Sequence, residues 1–404
     1  QERLARVVCR EIGKTMREAR GEVQEAIDTA AFFQSEGRRL YGQTVYSEMP
    51  NKELFTYRRP LGVAAMITAG NFPIAVPSWK IIPALVCGNT VVWKPSEDAP
   101  TIAYLFARLL LDAGVPRGVL NVVFGTGAEA GGAILESVDA GLVQKVSFTG
   151  STEVGRKVGE VCGRNLQVPS LELGGKNPML VMEDADLDLA IEGALFSGFG
   201  TAGQRCTSLG NLILHRPIAE AFKRGLVERL KGIKIGDPVQ SEDVLYGPLI
   251  HERFHERFMK HFDMARASGA RNLMEPEGRI TPENQPPGFV GDPSKGFYVF
   301  PALWEGARID APLSQTEVFG PNVNMLVVED FEEGLAAANG TPYGLSSSIY
   351  TRDPSTILRF KNGIGAGMTS VNNTTSGAEA HLPFGGNGWS GNGTRESGVW
   401  VLDA

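Results

Sequence analysis

The sequence predicts an α/β protein: a doubly wound parallel sheet, then a second α/β unit, with a small β excursion near the start. Three observations carry this. From Leu61 onward, strand-length apolar runs alternate with helix-length amphipathic segments. Several runs end in glycine-bearing turns that open a helix, as in Gly125-Thr126-Gly127 and Phe148-Thr149-Gly150-Ser151-Thr152. The 404 residues include 49 glycines, with 42% hydrophobic and 21% charged residues, a globular composition long enough for two or more domains.

Residues 1–40 read as helix, with Glu22, Glu25 and Asp28 outside an apolar face of Val23, Ala26, Ile27 and Ala30. Residues 42–60 alternate and suit a two-stranded excursion. Strands are expected at 62–68, 90–94, 119–124 and 144–148, and helices at 77–87, 100–113 and 129–138. A second run places a strand at 177–182 and a helix capped by Asp186. A strand at 211–215 and a helix at 217–231 complete it. Segment 270–300, rich in Pro and Gly, reads as a long surface connection.

Net charge is −7 with both signs interspersed, which excludes an electrostatic nucleic-acid footprint. The apolar stretch 61–93 is interrupted by Pro73, Pro77, Lys80, Pro83 and Asn89, so no membrane span is expected. Cys9, Cys87, Cys162 and Cys206 lack CxxC spacing and the density of a disulfide scaffold, which favours a reducing compartment. Without a secretory or basic amphipathic leader in the sequence, a soluble cytoplasmic protein is expected. The start at Gln1 rather than Met points to an N-terminal piece beyond this sequence.

Two segments carry chemistry. In Gly203-Gln204-Arg205-Cys206-Thr207 a thiol sits in a loop after a helix. Backbone N–H groups and the neighbouring Arg205 would favour its thiolate. The other reading of Cys206 is a buried structural cysteine, which is retained for Cys9, Cys87 and Cys162. In Leu171-Glu172-Leu173-Gly174-Gly175-Lys176 a carboxylate precedes two glycines, which implies a close approach to the backbone; the other reading is a charge facing solvent. A thiol attacks carbonyls, and a nearby carboxylate activates the water that releases the acyl group. Strand ends at Gly125–Gly131, Phe148–Thr152 and Lys94-Pro95-Ser96-Glu97 suit a nucleotide. Ser151 and the following N–H groups would hold phosphate, and Lys94 and Glu97 a ribose. His251-Glu252-Arg253-Phe254-His255 matches the zinc-peptidase pattern on an expected helix. His251 and His255 share a face with Phe254, Phe258 and Phe262, so an amphipathic rhythm accounts for the match and no metal is expected.

Taken in order, Pro60–Val63, Gly70-Asn71-Phe72-Pro73, Lys94–Glu97, Phe148–Thr152, Glu172–Lys176, Gly203–Thr207, Glu317–Pro321, Tyr343–Ser346 and Pro383–Gly386 resemble the aldehyde dehydrogenase superfamily over nearly the whole chain. The resemblance implies a Rossmann-like NAD-binding domain over 1–41 and 61–174, with 387–404 packing back on it. It also implies an oligomerisation hairpin at 42–60 and a catalytic domain at 175–386. Cys206 would be the nucleophile, and Asn71 with the Cys206 N–H the oxyanion hole. Glu172 would activate water for the thioester, which favours the acid-forming branch over acyl transfer to coenzyme A. Thr68, Lys94, Ser96, Glu97, Gly127, Gly150, Ser151, Leu173, Glu317 and Phe319 would hold the cofactor. A carboxylate at Glu97 accepts from a free 2′-hydroxyl and repels a 2′-phosphate, so NAD is expected rather than NADP.

The implied substrate is a small aldehyde. The Ser390–Glu396 ending is similar to members acting on amino-acid-derived semialdehydes, and Ser376–His381 falls near the substrate entrance of relatives. A homodimer or homotetramer is implied, although the sequence stops before the C-terminal strand that relatives pair with a neighbour. Gly70 stands where many members carry a large aromatic, which predicts a wider pocket. The rival readings are a non-catalytic structural protein on the same fold and, more remotely, a zinc hydrolase.

Overall fold

The computed structural model describes residues 1–404. Two helices lead: α1 (Glu2–Ile12) and α2 (Met16–Glu36). The expected single helix is broken because Gly13 adopts φ +77°, and Thr15 with Glu18 forms a capping box that starts α2 afresh. The hairpin β1 (Thr44–Tyr46) and β2 (Glu53–Phe55) follows, antiparallel and exposed throughout.

The first α/β run is β3 (Val63–Ile67), α3 (Ala75–Val86), β4 (Thr90–Lys94), α4 (Pro100–Asp112), β5 (Leu120–Val122), α5 (Gly132–Asp139), β6 (Lys145–Thr149), α6 (Thr152–Arg164) and β7 (Ser170–Glu172). A π-helical turn, Gly127–Gly131, replaces the start of the helix expected from Glu129. The strands form one parallel sheet in the order β5-β4-β3-β6-β7. The chain winds outward from β3 through β4 to β5, then returns to β6 on the other side of β3. That reversal is a topological switch point, and it opens a crevice at the carboxyl ends of the strands.

The second run is β8 (Asn177–Val181), α7 (Leu187–Phe199), β9 (Leu209–His215), α8 (Arg216–Lys231), α9 (Glu252–Ala267), β10 (Arg271–Asn272), β11 (Ala302–Glu305), α10 (Pro312–Gln315), β12 (Asn322–Val328), α11 (Phe331–Ala338), β13 (Tyr343–Gly344), β14 (Ser346–Tyr350), α12 (Pro354–Gly363), β15 (Met368–Val371) and β16 (Asn387–Gly388). Seven strands order as β10-β11-β12-β9-β8-β14-β15, parallel except for β10. Segment 270–300 is not merely a surface connection, because Met274, Ile280, Tyr298, Val299 and Phe300 are buried in the largest core cluster. The chain returns to the first sheet at its end. Leu173 N–H donates to Ser390 O at 2.9 Å, Leu171 N–H to Asn392 Oδ1 at 3.3 Å, and Glu172 bridges Gly391, so residues 390–392 cover the β7 edge. No helix is long and apolar enough to cross a membrane.

One buried ion pair corrects the amphipathic reading of α2 in part. Val23 and Ala26 are buried and Asp28 is exposed as expected, but Glu22 is 2% exposed while Ile27 is 47% exposed and Ala30 is also exposed, against expectation. Lys14, freed by the break at Gly13, reaches Glu22 Oε2 at 2.6 Å and sits 3.2 Å over the Phe72 ring. Glu22 Oε1 accepts from Ile74 N–H at 2.9 Å and Ala75 N–H at 3.3 Å, capping α3 from another helix. Glu22→Ala strands a buried ammonium and leaves two N–H groups unmet. We expect a loss of about 3–5 kcal/mol, read as a lower midpoint in urea unfolding.

Candidate active site

The segment Thr201-Ala202-Gly203 delivers the thiol. All three residues are left-handed, at φ 52°, 52° and 66°, a conformation that costs the two non-glycines about 1–3 kcal/mol each. Gly203 is required on a second count, because a Cβ there would lie 2.0 Å from Gly320 O. Neighbouring contacts hold the loop. Gln204 N–H donates to Thr201 O at 3.0 Å, and Ile250 N–H donates to Gln204 Oε1 at 3.0 Å. Arg205 Nε donates to Thr201 Oγ1 at 3.0 Å, and its Nη2 reaches Glu18 Oε1 at 2.5 Å. The guanidinium expected to favour the Cys206 thiolate is therefore committed to Glu18 and Thr201. Burial pushes the Cys206 thiol up to about 12, and the Glu317 and Glu172 carboxylates add to it. The N–H groups of Thr207 and Cys206 pull less strongly the other way. The thiolate expectation is thus corrected for this state of the protein.

Glu172 ends β7, and from there the chain crosses to β8 through Gly174 and Gly175. A Cβ at Gly175 would lie 2.5 Å from Cys206 O, and one at Gly174 would lie 2.2 Å from Glu317 Oε2. These are the close approaches that the paired glycines implied. At the far side Asn177 Nδ2 donates to Cys206 O at 2.8 Å and to Ser208 O at 2.7 Å. Glu172 is 2% exposed and neither carboxyl oxygen has a hydrogen-bond partner, so it is no solvent-facing charge. Burial raises its pKa well above the usual carboxylate range, and the nearby Glu396 raises it further. Asn71 Nδ2 donates to Gln204 O at 2.9 Å, which uses one amide N–H beside the thiol's loop and leaves the other.

Cys206 and Glu172 line one cavity of about 640 Å³. Phe72, Trp79, Phe196 and Phe384 supply aromatic walls, α2 supplies Glu25 and Asp28, and residues 376–381 form the rim. Trp79 Nε1 and Glu25 Oε1 are buried without partners, and burial pushes the Glu25 carboxyl up to about 8. Gly70 does not widen this cavity: a Cβ there would point at Ser96 Oγ, 2.9 Å away, on the nucleotide-like side. Behind Glu172, Glu396 pairs tightly with Lys80, and Ser147 Oγ donates to Glu396 Oε1 at 2.9 Å. Glu396 also lines a second cavity of about 330 Å³ that contains Lys80, Lys145 and Ser147.

The other expected residues gather at the carboxyl ends of the five-stranded sheet. Thr68 N–H donates to Lys94 O at 3.2 Å, and its hydroxyl accepts from Trp93 Nε1 at 3.0 Å. Lys94 Nζ lies 3.0 Å from Glu97 Oε2. Burial works to raise the Glu97 carboxyl, but its own N–H, Lys94 and Arg253 outweigh this and hold it below the usual range. Ser96 Oγ bonds Asp98. Ser151 Oγ accepts from Val154 N–H at 3.4 Å and so caps α6. Gly150 N–H donates to Glu172 O, and a Cβ there would strike the Phe148 ring. Leu173 packs on α6 at Gly155. A Cβ at Gly127 would meet open space. Glu317 Oε1 accepts from Gly175 N–H at 3.1 Å; burial raises its pKa, and Arg257 opposes. Phe319, at φ +59°, lies 5.5 Å from the Phe254 ring. The Lys94 cation, the Glu97 carboxylate and the start of α6 at these strand ends fit a dinucleotide.

The H-E-x-x-H residues do not form a ligand pair on adjacent helical turns. His251 is the N-cap of α9, its Nδ1 accepting from Arg253 N–H at 3.2 Å, and His255 packs 5.8 Å from the Phe297 ring. The same helix instead carries residues that sequence reasoning missed. Arg253 contacts Glu97 and Asp98, and Arg257 donates to Glu317 O. Lys80 and Glu396 were also missed, although a lone lysine within the apolar helix α3 was a readable signal.

The sequence model of the Aldehyde dehydrogenase family matches residues 1–404. The chain is similar to alpha-ketoglutarate semialdehyde dehydrogenase of Haloferax volcanii, at 40% identity over 100% of this chain and 81% of that protein. It is 36% identical to the NADP(+) succinate-semialdehyde dehydrogenase of Escherichia coli, over 100% of this chain and 80% of that one. Betaine aldehyde dehydrogenase of Staphylococcus aureus, solved with NAD+, matches with a TM-score of 0.93 at 30% identity, covering 99% of this chain and 76% of that one. The chain belongs to the aldehyde dehydrogenase family and is an oxidoreductase that oxidises an aldehyde with a nicotinamide dinucleotide.

Proposed function

We propose that this enzyme is a hydrolytic, acid-forming aldehyde dehydrogenase that prefers NAD and acts on an amino-acid-derived semialdehyde. The observation that carries this reading is the single cavity with Cys206 and Glu172 on its wall. Cys206 Sγ bonds to the aldehyde carbon as its thiol proton is taken by the Glu172 carboxylate on the same cavity wall and passed on to solvent, and the carbonyl electron pair moves to oxygen. The remaining Asn71 N–H and the Cys206 N–H stabilise that oxygen as its charge develops. The dinucleotide, when bound, supplies the acceptor for the two electrons that the substrate carbon loses. Glu172 then takes a proton from water, which attacks the thioester and frees Cys206 and a carboxylic acid. The Lys80–Glu396 pair behind Glu172 gives that proton a polar neighbour away from the substrate.

Thr68, Lys94, Ser96, Glu97, Gly127, Gly150 and Ser151 would hold the adenosine and pyrophosphate half, with Leu173, Glu317 and Phe319 at the nicotinamide half. The carboxylate of Glu97 supports NAD, since it accepts from a free 2′-hydroxyl. The first sheet with 387–404 would be the NAD-binding domain, and 175–386 the catalytic domain. Glu25, Asp28, Arg205, Glu379 and His381 on the wall of the cavity support a polar substrate rather than a plain alkyl aldehyde, and the semialdehyde dehydrogenases among the chain's relatives support a semialdehyde. The exposed Val45, Tyr46, Leu54 and Phe55 of the hairpin support pairing with a second copy, and the four free cysteines support the cytoplasm.

Reduced-cofactor production from a panel of simple aldehydes and charged semialdehydes, with NAD and NADP in parallel, tests the reading; no turnover with any aldehyde sinks it. Cys206→Ala is expected to lower kcat by more than about a thousandfold. Glu172→Gln should release one equivalent of reduced cofactor per site, then slow the steady state about 10²–10⁴-fold as thioester accumulates. The raised Glu172 pKa means that its base form is gained as pH rises. Saturated wild-type kcat should therefore climb from neutral toward alkaline pH, and Glu172→Gln should lose that limb.

A further inference from the structure

We propose that Arg253 equips the ribose end of the cofactor crevice to accept an adenosine 2′-phosphate as well as a free 2′-hydroxyl, making the enzyme competent with NADP alongside NAD. This rests on the reading of Lys94 and Glu97 as the ribose site.

Four charges meet there. Lys94 comes from the end of β4, Glu97 and Asp98 from the turn that follows, and Arg253 from the first turn of α9 in the other half of the molecule. Lys94 Nζ takes Glu97 Oε2 at 3.0 Å, and Arg253 Nη1 lies 3.3 Å from Glu97 Oε1. Arg253 Nη2 holds Asp98 Oδ2 closely. The Asp98 side chain is only 7% exposed and shares that oxygen with Ser96 Oγ at 3.3 Å. The Asp98 contact is therefore the fixed anchor of the guanidinium, which also lies over the Phe254 ring, its Cζ 5.1 Å from the centroid.

The Glu97 contact is the loose one. Both side chains there are well exposed, at 39% and 45%, and 3.3 Å is long for a charge-assisted bond. With Nη2 on Asp98 and Nη1 only weakly engaged, a guanidinium with five N–H donors retains several to offer. An isolated Glu97 would repel a 2′-phosphate. Here two cations flank that carboxylate, and one of them is anchored independently of it. If Glu97 turns to solvent, Lys94 and Arg253 both face the position it leaves, and a planar guanidinium suits phosphate oxygens two at a time. If a free 2′-hydroxyl arrives instead, Glu97 stays and accepts from it. The same four residues thus present either an acceptor or a pair of donors.

Isothermal calorimetry with two probes, 5′-AMP and 2′,5′-ADP, separates the possibilities without turnover. Arg253→Gln should weaken 2′,5′-ADP about tenfold and 5′-AMP less than about twofold, while Glu97→Gln should tighten 2′,5′-ADP about tenfold and weaken 5′-AMP. The NADP-to-NAD ratio of kcat/KM should fall in Arg253→Gln and rise in Glu97→Gln. Equal weakening of both probes by Arg253→Gln would reduce Arg253 to a strut between the two halves and overturn the proposal. So would an Arg253→Gln protein that binds 2′,5′-ADP as the wild type does. If Glu97→Gln changes neither probe, the ribose assignment itself fails and takes the proposal with it.

Discussion

The site depends on one short crossing. Between Glu172, the last residue of one sheet, and Asn177, the first of the other, the chain has room only for backbone at two positions. Glycines at 174 and 175 let the Glu317 carboxylate and the Cys206 carbonyl come within distances that any Cβ would forbid. Asn177 completes the arrangement by donating twice into the loop that bears the thiol. Carboxyl and thiol are thus fixed relative to each other by the joint between the sheets, not by contact between their side chains.

Around that joint the protein stores unfavourable electrostatics. Glu172, Glu317 and Cys206 are all raised, each mainly by burial, and the carboxylates raise the thiol further. Two left-handed non-glycines precede the thiol. Such costs persist only where surrounding structure over-determines them. Here the determinants come from far away in sequence: Glu18 on α2 holds Arg205 and Thr201, and Glu22 on the same helix holds the start of α3 just after Asn71. Helix α2 is therefore part of the machinery that positions the site, though it contributes no reacting atom.

Much of this was legible in sequence. The alternation after Leu61 marks the strands within a few residues, and the glycine-bearing strand ends mark the crevice. The motifs in their order mark the family, because close backbone approach and strand-end chemistry leave local traces. What was not legible depends on distant partners. Glu22 reads as a solvent-facing charge until the break at Gly13 swings Lys14 onto it. Arg205 reads as the thiol's cation until Glu18, on another element, claims it. Gly70 reads as a pocket-widening position until its Cβ direction, toward Ser96, is known. In α9 the histidines drew attention by their spacing, while Arg253 between them makes the contact with Glu97 and Asp98 beyond the end of β4. Periodicity reports which face is apolar; it does not report which charge will find a buried mate.

The covering of β7 has a consequence for biosynthesis. That strand ends the five-stranded sheet, and its outer edge is satisfied by residues 390–392, with Leu171 and Asn392 221 positions apart. A nascent chain emerging from the ribosome therefore carries an open, apolar β edge through the making of the whole second sheet. Unpaired edges of this kind invite association with other chains. The segment that shields Glu172 in the finished enzyme is thus also the one that closes this edge, and a chain cut before residue 390 is left with it open.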